Sequence, residues 1–486
     1  MNNALLIGLL ALLPLVAWAQ SDADTEFFGE GTSTVADTKT SNADPTKQFS
    51  EQTSGAQWGG TVKSDATWQP SWLRGYPGES SASWTDSLAY DLTTTAFLDA
   101  RPDKDFRFRL SLKTGYPFTS DTPVLNSAGT ATTDTVATPN IKVWELFTDV
   151  TINDVLFLRF GKQSASWGVS YFYSPADVIS LTAKDVTDPT AQREGPVALK
   201  ATVPFPNQKA NVTAFVLARD SYFGGDSPSI AGLGYALQGD ILVGEAQLSL
   251  GGFYQKDNAP KGVATLNTGL DFLDLPVHGD LNLFSEAMFS YGSDVLKGSG
   301  TSVGTLGPVY SSVTPWEKTV YYTGTVGVSY SNSEFNTTLR VEYLYNPFGS
   351  SDKDAAGRAY DTYVASLSST FSGSNTSDRD YDSSDAATPG IHNLTAQVDC
   401  TKIGGSELEF STLWQQNLSD GSGWFKPLFT IYPWDQLGFN WGLQLVYGDN
   451  STQFPLQFQS YDKNGNSLGT QRVSLIVGVT FGTGKY

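Results

Sequence analysis

Few groups in this chain could act as nucleophile, base or metal ligand. It has two histidines, His278 and His392, and one cysteine, Cys400. Hydrolytic enzymes need a nucleophile or water activated by a base, most often histidine. His278-Gly279-Asp280 reads as a turn between strands, and His392 opens a strand with no serine or aspartate beside it. No H-E-x-x-H zinc motif occurs. Asp378-Arg379-Asp380-Tyr381-Asp382 has the spaced carboxylates of a calcium loop but lacks its glycine and closing glutamate, so it reads as a solvated acidic loop. One cysteine excludes an intramolecular disulfide, and Cys400 reads as a strand-packing residue. The expectation is a protein that is not an enzyme, with no cofactor and no metal.

The remaining charges are arranged with a period of two. Arg107, Arg109 and Lys113 alternate with Phe106, Phe108, Leu110 and Leu112. Arg340 and Glu342 alternate with Leu339, Val341, Tyr343 and Tyr345. Glu145, Asp149, Arg159 and Lys200 sit in similar runs, as do Glu245, Glu286, Glu407 and Glu409. Successive strand side chains point to opposite faces, so each run has one apolar and one charged or polar face. Uncharged runs alternate too: Leu437, Phe439, Trp441, Leu443, Leu445 and Tyr447 stand against Gly438, Asn440, Gly442 and Gln444. The last run is Val473, Leu475, Val477, Val479 and Phe481.

Two architectures fit this pattern: antiparallel sandwiches with a buried apolar face, or a transmembrane antiparallel up-and-down β-barrel with its apolar face on lipid. Runs of about ten residues match a tilted membrane crossing better than ordinary strands of five or six. Aromatics such as Trp72, Tyr330, Tyr345, Trp434 and Tyr447 fall at run ends, where an interfacial girdle needs them. The fold expected is therefore an all-β barrel of about 16–18 strands. On a lipid face a charge would cost about 2–4 kcal/mol near the midplane, so the charged face must be the inner one.

Composition agrees once read this way. With 30 Lys and Arg against 50 Asp and Glu, the net charge is −20, and charged residues make up only 16%. An acidic chain offers no basic footprint, so nucleic acid is not an expected partner. A mean hydropathy of −0.22 follows from averaging a lipid face with a polar lumen. The acidic balance gives a weak expectation of cation preference.

At the N-terminus, Ala4 to Ala19 is uncharged and leucine-rich and ends in Ala17-Trp18-Ala19, an A-x-A cleavage pattern. Residues 1–19 read as a cleaved signal peptide for export, and 20–55 as a polar, mobile tail too poor in apolar residues to fold. The barrel is assigned to 56–486. Gln238-Gly239-Asp240 and Lys463-Asn464-Gly465-Asn466 read as hairpin turns. Polar insertions at 117–138, 293–315 and 348–388 read as external loops, the last being the longest.

One stretch departs from simple alternation. Arg159-Phe160-Gly161-Lys162-Gln163 is followed by Trp167-Gly168, Pro175-Ala176-Asp177 and Arg193-Glu194-Gly195-Pro196-Val197-Ala198-Leu199-Lys200. This order resembles a class of bacterial outer-membrane barrels that includes alginate-export-type and related porin-like proteins, over about 45 residues. The resemblance implies an outer-membrane channel and names no substrate. Residues 165–194 are too apolar and aromatic for a loose surface loop, and a connection of that length in a barrel is usually functional or folded inward. It is a candidate constriction loop, with Arg159, Lys162, Asp177, Lys184 and Arg193 bringing charge to the pore. The bland alternative is that its aromatics cap the rim while Arg193 pairs with Asp177.

The function expected is passive passage of small hydrophilic solutes or ions across the outer membrane. A structural or adhesive surface protein, or a substrate-specific exporter or transporter barrel, is the alternative. Expected partners are outer-membrane lipid and small hydrophilic solutes. The oligomeric state stays open, a homo-oligomer included.

Overall fold

The computed structural model describes residues 55–125, 131–218, 230–270, 279–303, 308–366, 374–375, 381, 383–386, 390–434, 436–461 and 467–482. The leader 1–19, most of the polar tail, His278, the turn at Lys463–Asn466 and most of the acidic run 378–382 lie outside the described residues.

Eighteen antiparallel strands close into one barrel. The first six are β1 Gly55–Leu73, β2 Ser83–Asp103, β3 Phe106–Leu125, β4 Ala131–Ile152, β5 Leu156–Lys162 and β6 Val197–Phe205. Then follow β7 Ala210–Ala218, β8 Gly234–Val243, β9 Ala246–Gln255, β10 Lys261–Gly269, β11 Asp280–Tyr291 and β12 Val320–Asn332. The last six are β13 Thr337–Tyr345, β14 His392–Cys400, β15 Leu408–Asn417, β16 Gly423–Trp434, β17 Leu437–Tyr447 and β18 Ser467–Phe481. Each strand pairs with its neighbour in sequence. β18 closes on β1 with Ser64 opposite Phe481 and Trp68 opposite Val477. Closure pairs Ser64–Leu73 of the first strand with the last, so the sheet has no open edge there, which hydrocarbon would not tolerate.

One end of the barrel carries the termini and short turns, the other the long connections. Asn153 and Asp154 take positive φ between β4 and β5, and Gly244 does so in the two-residue turn between β8 and β9. That turn corrects the sequence reading of Gln238-Gly239-Asp240, which lies within β8. Glu245 likewise sits exposed in the turn and not on the inner wall. A Gly-Asp pair can sit in mid-strand when flanking alternation continues through it, as it does here.

At the loop end, two expected insertions are built differently. Over its described residues 117–138 is a continued hairpin, because β3 runs to Leu125 and β4 starts at Ala131. The connection 346–391 contains the helix α1, Ala355–Ser366. It packs with the 292–319 connection around Leu296, Val313 and Tyr381.

Burial is inverted relative to a water-soluble protein. Phe439, Trp441, Leu475, Val477, Leu237 and Leu250 are exposed on the outer face. Asp99, Arg107, Arg109, Glu145, Glu286, Glu342, Gln444 and Ser474 are buried on the inner face. Apolar outside and polar inside is the distribution a lipid-embedded barrel requires.

Val477, 48% exposed, tests that distribution directly. Val477→Arg places a guanidinium on the outer face at a cost of about 2–4 kcal/mol near the bilayer midplane. The folded fraction in lipid vesicles, read by heat-modifiable gel migration, should fall accordingly.

Candidate functional site

The connection from Lys162 to Val197 turns inward and lies along the inner wall. Two glutamates from the wall hold it. Glu286 on β11 accepts backbone N–H bonds from Val169 (2.7 Å), Ser170 (2.7 Å) and Ala176 (2.9 Å). Glu342 on β13 accepts from Tyr171 (2.9 Å), Phe172 (2.8 Å) and Tyr173 (2.9 Å), and also from the Thr325 hydroxyl (2.9 Å). Both glutamates are 0% exposed. Desolvating a carboxylate costs several kcal/mol. Each charge-assisted bond returns about 1.5–3 kcal/mol, so only the full set offsets the burial. The same bonds satisfy a stretch of irregular backbone that has no ladder partner.

The backbone can approach this closely because of Gly168. Its φ is +130°, and a Cβ there would stand 2.6 Å from the Glu286 carboxylate. Gly195 serves at the return point, where a Cβ would fall on the Gln163 carbonyl.

Two apolar seats complete the docking. Trp167, Ala176, Val178 and Ile179 pack on inner residues of β6 to β10, among them Phe215, Leu217 and Phe253. Trp167 is 4% exposed and meets Phe215 edge-on at 6.0 Å. Val169, Tyr171 and Phe172 join Phe284, Leu413, Trp424 and Val446 on β11 and β15 to β17. Fully burying each such large side chain contributes roughly 1.5–3 kcal/mol. The inner face is therefore not polar throughout: where the loop sits, the wall is apolar on both faces. Tyr173 Oη reaches Thr395 on β14 at 2.7 Å, so the loop touches both sides of the lumen.

The other expected site residues fall into three groups. Asp177 and Arg193 form an ion pair within the loop, and Asp177 also accepts bonds from the Ser166 and Ser180 hydroxyls. Lys162 pairs with Glu194 at the loop's base. Lys184 bonds the Ser170 carbonyl, and burial pulls its ammonium below the ordinary lysine value against the opposing charges of Glu342 and Glu286.

Arg107, Arg109, Glu145, Asp149 and Arg159 form a network on the wall of β3 to β5. Arg107 and Arg109 share Asp99, at 2.8 and 3.4 Å. Arg109 also meets Glu145 at 2.8 Å, while Arg159 grips Asp149 with two nitrogens at 2.6 and 2.9 Å. Gln192 of the loop bonds Glu145 at 3.0 Å and accepts from the Trp144 indole at 3.2 Å, tying this network to the loop.

Lys113, Lys200 and Arg340 lie over aromatic rings. Lys113 is 4.6 Å from the Trp144 centroid and Lys200 is 6.0 Å from that of Phe215. Arg340 lies 4.0 Å over Tyr171 of the loop and bonds Asp399 at 2.8 Å.

Sequence reasoning missed Asp99, the hub of the arginine network, and Gln192. Alternation marks Asp99 as inward, but only strand register shows that two arginines converge on it. It also placed Glu286 and Glu342 on the inner wall without their role as holders of loop backbone. His392 stands on the outer face, its Nδ1 2.6 Å from the Tyr343 hydroxyl and its backbone N–H 3.0 Å from the Ser419 hydroxyl. Gly465-Asn466-Ser467-Leu468-Gly469 matches G-x-S-x-G by letter, yet Ser467 opens strand β18 rather than a strand-to-helix elbow.

No protein-family model matches the chain, and no curated protein matches it. Among solved structures, OccK8 (OprE) of Pseudomonas aeruginosa is similar at 10% identity and a TM-score of 0.44, covering 87% of this chain and 98% of that one. OccAB3 of Acinetobacter baumannii is similar at 13% identity and a TM-score of 0.43, covering 88% and 100%. OpdQ of Pseudomonas aeruginosa stands at 8% and 0.43, covering 87% and 97%. At such distances the function has to be read from this chain's own residues.

Glu342→Ala removes the acceptor of three loop N–H groups. Leaving buried donors unpaired costs about 1–3 kcal/mol each, so the loop should loosen. Limited proteolysis in detergent should cut within 163–196 faster than in the wild type, while the barrel stays resistant.

Proposed function

We propose that this chain is an outer-membrane porin-type channel for passive passage of small hydrophilic solutes or ions. One observation carries the reading: a closed barrel, apolar outside and polar inside, has a long connection latched across its lumen by Glu286 and Glu342. A structural barrel needs no such insertion, whereas a channel gains an aperture from it. In this orientation the short-turn end faces the periplasm and the long-loop end faces outward.

The 163–196 loop is the constriction in this reading. Lys162, Asp177, Lys184 and Arg193 act by fixing its shape, since their bonds lie within the loop or at its base. Arg107, Arg109, Lys113, Glu145, Asp149, Arg159, Lys200 and Arg340 line the wall it faces. Their pairing keeps both signs of charge in one wall, which orients polar solutes. Export through a cleaved signal peptide and outer-membrane residence belong to the same proposal. The finer likeness to alginate-export-type barrels rests on the Arg159–Lys200 motif alone.

A second reading, an adhesive or structural surface protein, draws on α1 and its neighbours, which fold around their own apolar cluster at the loop end. Planar-bilayer recording of the purified protein in asymmetric salt separates the two. The channel reading expects discrete conductance steps, and a reversal potential that reports their charge preference. Deleting 166–192 should raise the single-channel conductance. A wild-type protein with no conductance under any salt condition would leave the surface reading standing and the channel reading rejected.

A further inference from the structure

A second connection also turns into the barrel. After β17 the chain runs through Asp449, Asn450 and Ser451 into a short helical turn, Gln453–Gln457, before reaching β18. Phe454 in this turn is 3% exposed. It belongs to the apolar cluster that contains Val169, Tyr171 and Phe172 of the inserted loop together with Trp424 and Val446 of the inner wall. Phe458, one helical turn further on, stands edge-on to Trp424 at 5.5 Å.

Polar bonds hold this segment from both sides. On the wall side, the Gln453 N–H donates to Asp420 (2.9 Å), the Phe454 N–H to the Ser422 hydroxyl (3.3 Å), and Thr470 donates to the Pro455 carbonyl (3.0 Å). Arg472 donates to the Gly448 carbonyl at 2.7 Å. On the outer side, the Gly357 N–H of α1 donates to the Ser451 carbonyl at 3.0 Å, and the Ser451 hydroxyl donates to Asp354 at 2.7 Å. A Cβ on Gly357 would lie 3.3 Å from Ser451, a tight contact that glycine avoids.

We infer that residues 448–458 form a second inward strap and that Phe454 is a positioning residue for the constriction loop, packing in the same apolar cluster as the Val169–Phe172 stretch that Glu286 and Glu342 hold by its backbone. The glutamates fix the loop's backbone, while Phe454 fixes the side chains that the backbone bonds leave free to move. The external helix braces the strap from above. This rests on the channel reading only for its effect on current; the packing itself can be tested without it.

The experiment uses the full chain in three forms: wild type, Phe454→Ala and Phe454→Leu. Heat-modifiable migration first establishes that each barrel is folded. Limited proteolysis of the 163–196 loop is then compared with single-channel recording. Phe454→Ala should be cleaved about tenfold faster, the factor that a loss of 1.4 kcal/mol produces. It should also show noisier open-channel current, and Phe454→Leu should return both readouts toward wild type. Unchanged cleavage in a folded Phe454→Ala barrel overturns the inference and leaves the channel reading intact. Faster cleavage in a protein whose wild type never conducts supports the inference and rejects the channel reading.

Discussion

An inserted loop loses water as hydrogen-bond partner for its backbone, and something on the wall must replace it. Glu286 and Glu342 do so, each accepting three backbone N–H groups, consecutive in the case of Glu342. A hydroxyl could satisfy one or two of these donors, but the two oxygens of a carboxyl group can accept all three. The exchange is reciprocal, because the donors are also what makes two fully buried carboxylates tolerable. Gly168, the apolar seats of Trp167 and Phe172, and the ion pairs inside the loop all depend on this docking geometry.

The arginine network obeys the same constraint on a different wall. Arg107, Arg109 and Arg159 stand on the inner wall, with their guanidinium groups over the Phe147 and Phe97 rings. Asp99, Glu145 and Asp149 neutralise them at hydrogen-bond distance. Gln192 then links this charged wall to the loop, so the two halves of the lumen are not independent. A change in either half should be felt at the aperture of the proposed channel.

Much of this was legible in residue order, for a local reason. A strand's side-chain period is two, and a barrel wall imposes different solvents on its two faces, so Phe106 to Lys113 and Leu437 to Tyr447 announce both the strand and the inward side. The length and aromatic content of 165–194 marked it as something other than a surface loop. Hairpin turns were less legible: Gln238-Gly239-Asp240 has turn-forming residues but continues as strand, because its neighbours' register holds it there. The apolar inner face of β6 to β10 was hidden for a related reason, since an apolar run reads the same whether lipid or an inserted loop covers it.

By itself, then, the sequence determined the all-β class, the approximate strand number, the charged inward side of strands such as β3 and β13, and the existence of an unusual connection after β5. These follow from periodicity, which neighbouring residues encode. Only the tertiary structure decided which carboxylates hold that connection, that Asp99 joins two arginines, and that Phe454 shares an apolar cluster with the loop. The bonds that hold the loop join residues more than a hundred positions apart, as Tyr171 and Glu342 are. Their meeting depends on the stagger of eighteen strands around a closed barrel, and no local pattern carries that information.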